Sequence, residues 1–94
     1  GLPDMTARKD LFLFYLRNRP FDRRLNLNEL VFLSQGFTNS DIEFICNEAA
    51  KHAIKNEKSS MDLEDFFVVI NQFIPSVTEE MIKKYNEFKR LGVV

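Results

Sequence analysis

Cysteine and histidine are nearly absent: the 94-residue chain has one of each, Cys46 and His52. A lone cysteine excludes an internal disulfide and any cysteine-built metal centre, and a lone histidine excludes the usual zinc ligand sets. Glycine stands only at positions 1, 36 and 92, never ahead of a Lys-Ser or Lys-Thr pair. No G-x-x-x-x-G-K-[ST] phosphate loop can therefore be drawn. The apolar run "FFVVI" ends in Asn71 and Gln72 rather than in the acidic pair that holds magnesium beside a phosphate. No apolar run approaches the ~18–20 residues of a membrane span, and the first residues lack a signal-peptide layout. These absences predict a soluble, cytoplasmic domain with no membrane partner, no metal site and no catalytic residue of its own.

What the chain does have is core material. It is 45% hydrophobic and carries ten Phe. A single domain over residues 1–94 of this size buries about 60–65% of its unfolded surface, so that material has to be used fully. Thirteen basic side chains against 14 acidic ones give no global attraction to nucleic acid. The spread is uneven: residues 1–24 hold Arg8, Lys9, Arg17, Arg19, Arg23 and Arg24 against Asp4, Asp10 and Asp22. Such a surface either meets an acidic neighbour or is simply solvated.

The periodicity is helical throughout and predicts an all-α fold, a small bundle of four main helices plus one short one. "PDMTARKDLFLFYLRNR" has Asp4 or Thr6 as N-cap and must end before Pro20, whose ring disfavours helical geometry in the residue ahead of it. A short helix follows, capped by Asn26 or Asn28, with Leu30, Val31 and Leu33 inward and Gly36 as its left-handed stop. In "GFTNSDIEFICNEAA" the chain restarts, with Thr38 and Asp41, or Ser40 and Glu43, at capping-box spacing. Ile42, Ile45, Cys46, Ala49, Ala53 and Ile54 then share one face. The alanines there let another helix approach closely.

"MDLEDFFVVINQF" starts a further helix at Asp62, with Leu63, Phe66, Phe67, Ile70 and Phe73 on one side and Pro75 as its end. "SVTEEMIKKYNEFKRL" makes the last, with Met81, Ile82, Tyr85 and Phe88 as its apolar edge. Glu64 and Asp65 are adjacent and point apart, so they read as first-turn charge rather than as a paired-carboxylate site. His52, mid-helix among lysines, reads as a surface side chain.

Four segments, in order, carry a family resemblance. "LPDMTARKDLF", "LNLNELVFLSQGFTNSDIEFICNEAAKHAI", "MDLEDFFVVI" and "PSVTEEMIKKYNEF" resemble the C-terminal helical lid of AAA ATPases, in particular the valosin-containing-protein-like branch. The signature is P-D-x-x-x-R, then G-[FY]-[ST]-G-A-D-[IL], then D-F, then S-V-x-x-x-x-[IL]-x-x-Y-x-x-F. The resemblance implies that residues 1–5 are a hinge from an upstream nucleotide-binding domain and that 89–94 are a tail. It further implies that Thr38, Asn39 and Ser40 sit at the adenine and ribose edge of ATP held by that larger domain.

Asn39 and Ser40 replace the family's Gly-Ala, adding bulk and polar groups where backbone approaches base. Tyr15 stands where many relatives have a histidine near the ribose; it either stacks on adenine or belongs to the core. Arg8 falls at the hinge. The family's arginine fingers lie upstream of this chain's first residue, so Arg17 to Arg24 do not correspond to them.

On this resemblance ATP or ADP with magnesium is engaged only through the parent domain, and the parent, not this chain, is the hydrolase. The partners implied are the large nucleotide-binding domain of the same chain and neighbouring subunits of a homo-oligomeric ring, a hexamer, engaged in protein remodelling. Two rivals stand beside it. One is a stand-alone helical interaction module that takes a partner helix in its groove. The other is a helix-turn-helix nucleic-acid binder using Arg17–Arg24, disfavoured because helix 39–55 sets only Lys51 and Lys55 against Asp41, Glu43 and Glu48.

Overall fold

Asp4 starts the first helix. Its carboxylate accepts the Ala7 N–H at 2.9 Å, satisfying one of the free amides of α1 (Met5–Leu16). The computed structural model describes residues 1–22, 24–73, 83–84, 86–87 and 89–92. Asn26 caps α2 (Leu27–Leu33) by accepting the Asn28 N–H at 2.9 Å. Gly36, with φ of 86°, turns the chain back in the left-handed region that costs a glycine nothing.

Thr38 and Asp41 then form the reciprocal capping box that opens α3 (Asn39–Lys55). Asp62 and Asp65 exchange the same kind of bonds, at 2.9 and 3.4 Å, at the start of α4 (Leu63–Phe73). The expected last helix, 76–91, lies for the most part outside the described residues, as do Pro75, Met81, Ile82, Tyr85 and Phe88. Lys83, Lys84, Asn86, Glu87, Lys89 and Arg90 are helical.

α3 is the central element, packed on α1 and on α4, while α2 lies against α1. Ala49 and Ala53 are buried on its inner face with Ile42, Ile45 and Cys46, as the three-four spacing predicts. Phe12, Leu16, Leu30, Leu33, Phe66 and Ile70 complete the centre of the core. The α1–α2 and α3–α4 connectors are tied together. Met61 N–H donates to the Pro20 carbonyl at 3.0 Å and Asp22 N–H to the Met61 carbonyl at 2.7 Å, forming an isolated parallel bridge between Phe21 and Met61. The described residues contain no β-strand, and the fold is all-α.

Three expectations need correction. Ile54 is 75% exposed, because it lies about 100° round the helix from Ala53 and so falls off the buried stripe. The buried face of α4 is Asp65, Phe66, Val69 and Ile70, leaving Phe73 partly exposed and Leu63 and Phe67 only partly covered. His52 is half-buried and bonded rather than a free surface side chain. Its Nδ1 lies 2.6 Å from Oδ1 of Asp65, and that carboxylate is fully buried. An ionised carboxylate only accepts, so the imidazole Nδ1–H donates.

Candidate nucleotide-facing edge

The α3 N-terminus is held open toward solvent by its own cap. Thr38 Oγ1 accepts the Asp41 N–H at 3.1 Å, and Asp41 accepts the Thr38 N–H at 2.9 Å. The amides of Asn39 and Ser40 are left without a partner, as first-turn amides are. The phenol of Tyr15, near the end of α1, donates to Asn39 Oδ1 at 2.5 Å. That bond brings two of the expected site residues together across 24 positions.

Tyr15 is half-buried against the core and meets Phe14 edge-on at 5.2 Å. Burial, with Glu43 and Cys46 nearby, raises its phenol above the ordinary value of 10.0. The hydroxyl is thus a neutral donor across the physiological range.

Thr38, Asn39 and Ser40 line one open cleft of about 830 Å³ with Gly1, Leu2, Pro3, Asp10, Leu11 and Phe14. Tyr15 does not line it; it holds Asn39 from behind. Phe14, 53% exposed, supplies the aromatic wall instead. The sequence alone gave no reason to choose Phe14 over its neighbour, since both lie at apolar positions of α1. The cleft combines apolar walls, free backbone donors at a helix's positive end and the carboxylate of Asp10. That chemistry suits a flat heterocycle and sugar hydroxyls. It disfavours a triphosphate, which Asp10 would repel.

Arg8 ties Pro3, which lines this cleft, to the body of the domain. It is 5% exposed, and its guanidinium donates to the Val31 carbonyl from Nε at 3.2 Å and Nη2 at 3.0 Å, and to the Pro3 carbonyl from Nη1 at 3.1 Å. Burial lowers its affinity for the proton, partly countered by Asp4, yet from 12.5 the group stays charged at any relevant pH.

A second constellation escaped the sequence reading. Asp65, fully buried, accepts from His52 Nδ1, from Lys58 Nζ at 2.8 Å and from the Asp62 amide at 2.9 Å. Lys58 also reaches Asp62 at 2.7 Å. The D-x-x-D spacing was the available signal, since it is a capping box written with two aspartates.

The chain's one thiol lies in neither place. The Cys46 thiol is buried, which pushes its pKa up to about 12. The described residues hold no cluster of His, Cys, Asp or Glu able to bind a metal ion, and none of their helices is long and apolar enough to cross a membrane.

A capped helix start and an aromatic wall beside the chain's first residues make up the candidate edge of this helical subdomain. Residues 24–68 match the family described as AAA+ lid domain. A Cell division cycle protein 48 homolog of Archaeoglobus fulgidus is 36% identical over 64 residues, covering 68% of this chain and 9% of that protein. An ATP-dependent zinc metalloprotease FtsH 2 of Thermoanaerobacter is 33% identical over 87 residues, 85% of this chain and 17% of the relative. A proteasome-activating nucleotidase of Saccharolobus solfataricus is 34% identical over 71 residues, 76% and 18%. The chain thus spans less than a fifth of the length of these curated relatives. It carries an AAA+ lid domain.

Proposed function

We propose that this domain closes over ATP bound by a larger nucleotide-binding domain of the same protein and converts its hydrolysis into motion between domains. In this reading the bound nucleotide and its magnesium ion supply the phosphoryl chemistry. This chain's own residues cover the adenine and ribose and exclude water. The motion is passed to neighbouring subunits of a homo-oligomeric ring, a hexamer, that remodels or unfolds proteins in the cytoplasm. The observation that carries the reading is the position of Thr38, Asn39 and Ser40, at a capped helix start that shares one cleft with Leu2 and Pro3. A domain leading into this chain would arrive at that cleft. The relatives whose printed names include ATP dependence or a nucleotidase agree with it.

Ser40 is exposed and makes no side-chain bond, so Ser40→Trp fills the cleft without touching the core. In the protein that contains the large domain, this substitution is expected to raise the apparent KM for ATP about tenfold or more, roughly 1.4 kcal/mol. The melting temperature should stay unchanged. An unaltered KM would move the nucleotide away from this edge.

The chain by itself is expected to neither hydrolyse ATP nor bind it better than about millimolar. A one-sided contact to base and sugar barely offsets the lost translational and rotational freedom, and no lysine-bearing phosphate loop is present. Calorimetry with magnesium ATP and a phosphate-release assay measure both quantities. Micromolar binding or turnover would contradict the lid reading.

A further inference from the structure

We propose that a second cavity, at the far end of α1 and α3, is a docking site for an acidic peptide segment of another protein, one that presents an apolar side chain beside a carboxylate. The cavity, about 420 Å³, lies between the α1–α2 and α3–α4 connectors and shares no residue with the nucleotide-facing cleft. Its volume falls within the range of small ligand sites. Ala50, Ala53, Ile54 and Met61 make an apolar floor, and Ile54 is the most exposed large apolar side chain among the described residues.

Charge selects the occupant. The lining holds Arg19, Lys51 and Lys58 and no acid, whereas the nucleotide-facing cleft contains Asp10. Lys58 is already neutralised by Asp62 and Asp65. Lys51 is 74% exposed, with only a 3.7 Å contact to Glu48, a pair that solvent screens almost completely.

Arg19 is the decisive group. Its guanidinium is held by the neutral amide oxygen of Asn47, and its Nη1 is sealed from solvent with no acceptor. A buried guanidinium nitrogen without an acceptor is costly, and a carboxylate is the partner whose geometry suits it. The amides and hydroxyls of Ser59 and Ser60, on the same rim, also have no partner in the protein. They would donate to the second carboxylate oxygen.

Two available cations on a chain of net charge −1 are too few for a nucleic-acid backbone, which is bound through several neutralised phosphates. The floor supplies instead the apolar contact that a protein segment brings.

The test is a titration of the ¹⁵N-labelled chain with a short fluorescein-tagged peptide bearing leucine between two glutamates. Two control peptides carry glutamine for glutamate, or serine for leucine. Saturable shifts centred on Arg19, Asn47, Lys51, Ile54, Ser59 and Ser60 are expected, with fluorescence polarisation giving the affinity. The glutamine peptide, the serine peptide, and the Arg19→Gln and Ile54→Ser variants should each weaken binding at least about fivefold. Both variants should keep the parent melting temperature, because neither side chain is in the core. Equal binding of the glutamine peptide, shifts mapping elsewhere, or no saturation at millimolar peptide would overturn the proposal. So would displacement of the peptide by inorganic phosphate or by a single-stranded oligonucleotide at equal concentration, which would make this a phosphate site instead.

Discussion

Phe66→Ala is expected to cost about 3–5 kcal/mol of folding stability. Phe66 is fully buried and meets Phe12 edge-on, with ring centroids 6.4 Å apart and planes at 76°. That contact joins α4 to α1 across the central helix, so truncation opens a void bordered by three elements. None of them can collapse into it without losing its own packing. A domain of this length has about 5–14 kcal/mol in total at ~0.05–0.15 kcal/mol per residue. The variant should therefore be marginal at 37 °C. Urea unfolding followed by circular dichroism measures the shift. Phe67→Ala, at a partly covered position one residue along, should cost less than half as much. Equal losses at the two positions would show that α4 presents a different face to the core.

Asp65→Ala is expected to cost about 3 kcal/mol, the lower end of the range for breaking a buried ion pair. The lower end applies because Lys58 and His52 are each 27% exposed and can turn to water once the carboxylate is gone. Lys58 also keeps Asp62. Burial by itself would raise the Asp65 pKa. The hydrogen bonds from Lys58, the Asp62 amide and His52 outweigh it and hold the carboxyl below its ordinary 3.8.

A depressed carboxyl stabilises the fold fully above its unfolded value and loses that stabilisation as pH falls through its folded value. The gap between parent and Asp65→Ala should hence be constant near neutrality and shrink below about pH 4. Unfolding curves across that interval measure it. A gap that stays constant down to pH 2 would mean that Asp65 acts through shape and not through its charge.

The parts of this fold that could be read in the sequence are those set by neighbours within one turn. Thr38 and Asp41, Gly36, Asp4 and Asn26 act locally, and each does what its residue type and spacing dictate. The alanines of α3 were legible for the same reason, since the face of a helix repeats on a fixed period.

Asp65 was not legible, because the groups that make its burial tolerable come from elsewhere. His52 lies on the preceding helix and Lys58 on the connector, 13 and 7 positions away. Ile54 follows directly on Ala53 and so stands about 100° round the helix, at the edge of the apolar stripe, where the orientation of α3 decides that it is bare. At the candidate edge, the family resemblance singled out Tyr15 and Asn39 but not the bond between them. Phe14 emerged only once α1 had been oriented by its buried residues, Phe12 and Leu16.

Arg8 also settles where the chain is stiff. By gripping the carbonyl of Pro3 and that of Val31 with one guanidinium, it welds the start of α1 to the last turns of α2. The proline ring freezes one torsion at the same spot, and Asp4 is occupied as a cap. Bending at Pro3 or Asp4 would break all of these at once, whereas Gly1 and Leu2 make no hydrogen bond to the body. A pull on the N-terminal segment is consequently not absorbed at the proline. It would pass instead to α2, through the Val31 carbonyl that Arg8 holds.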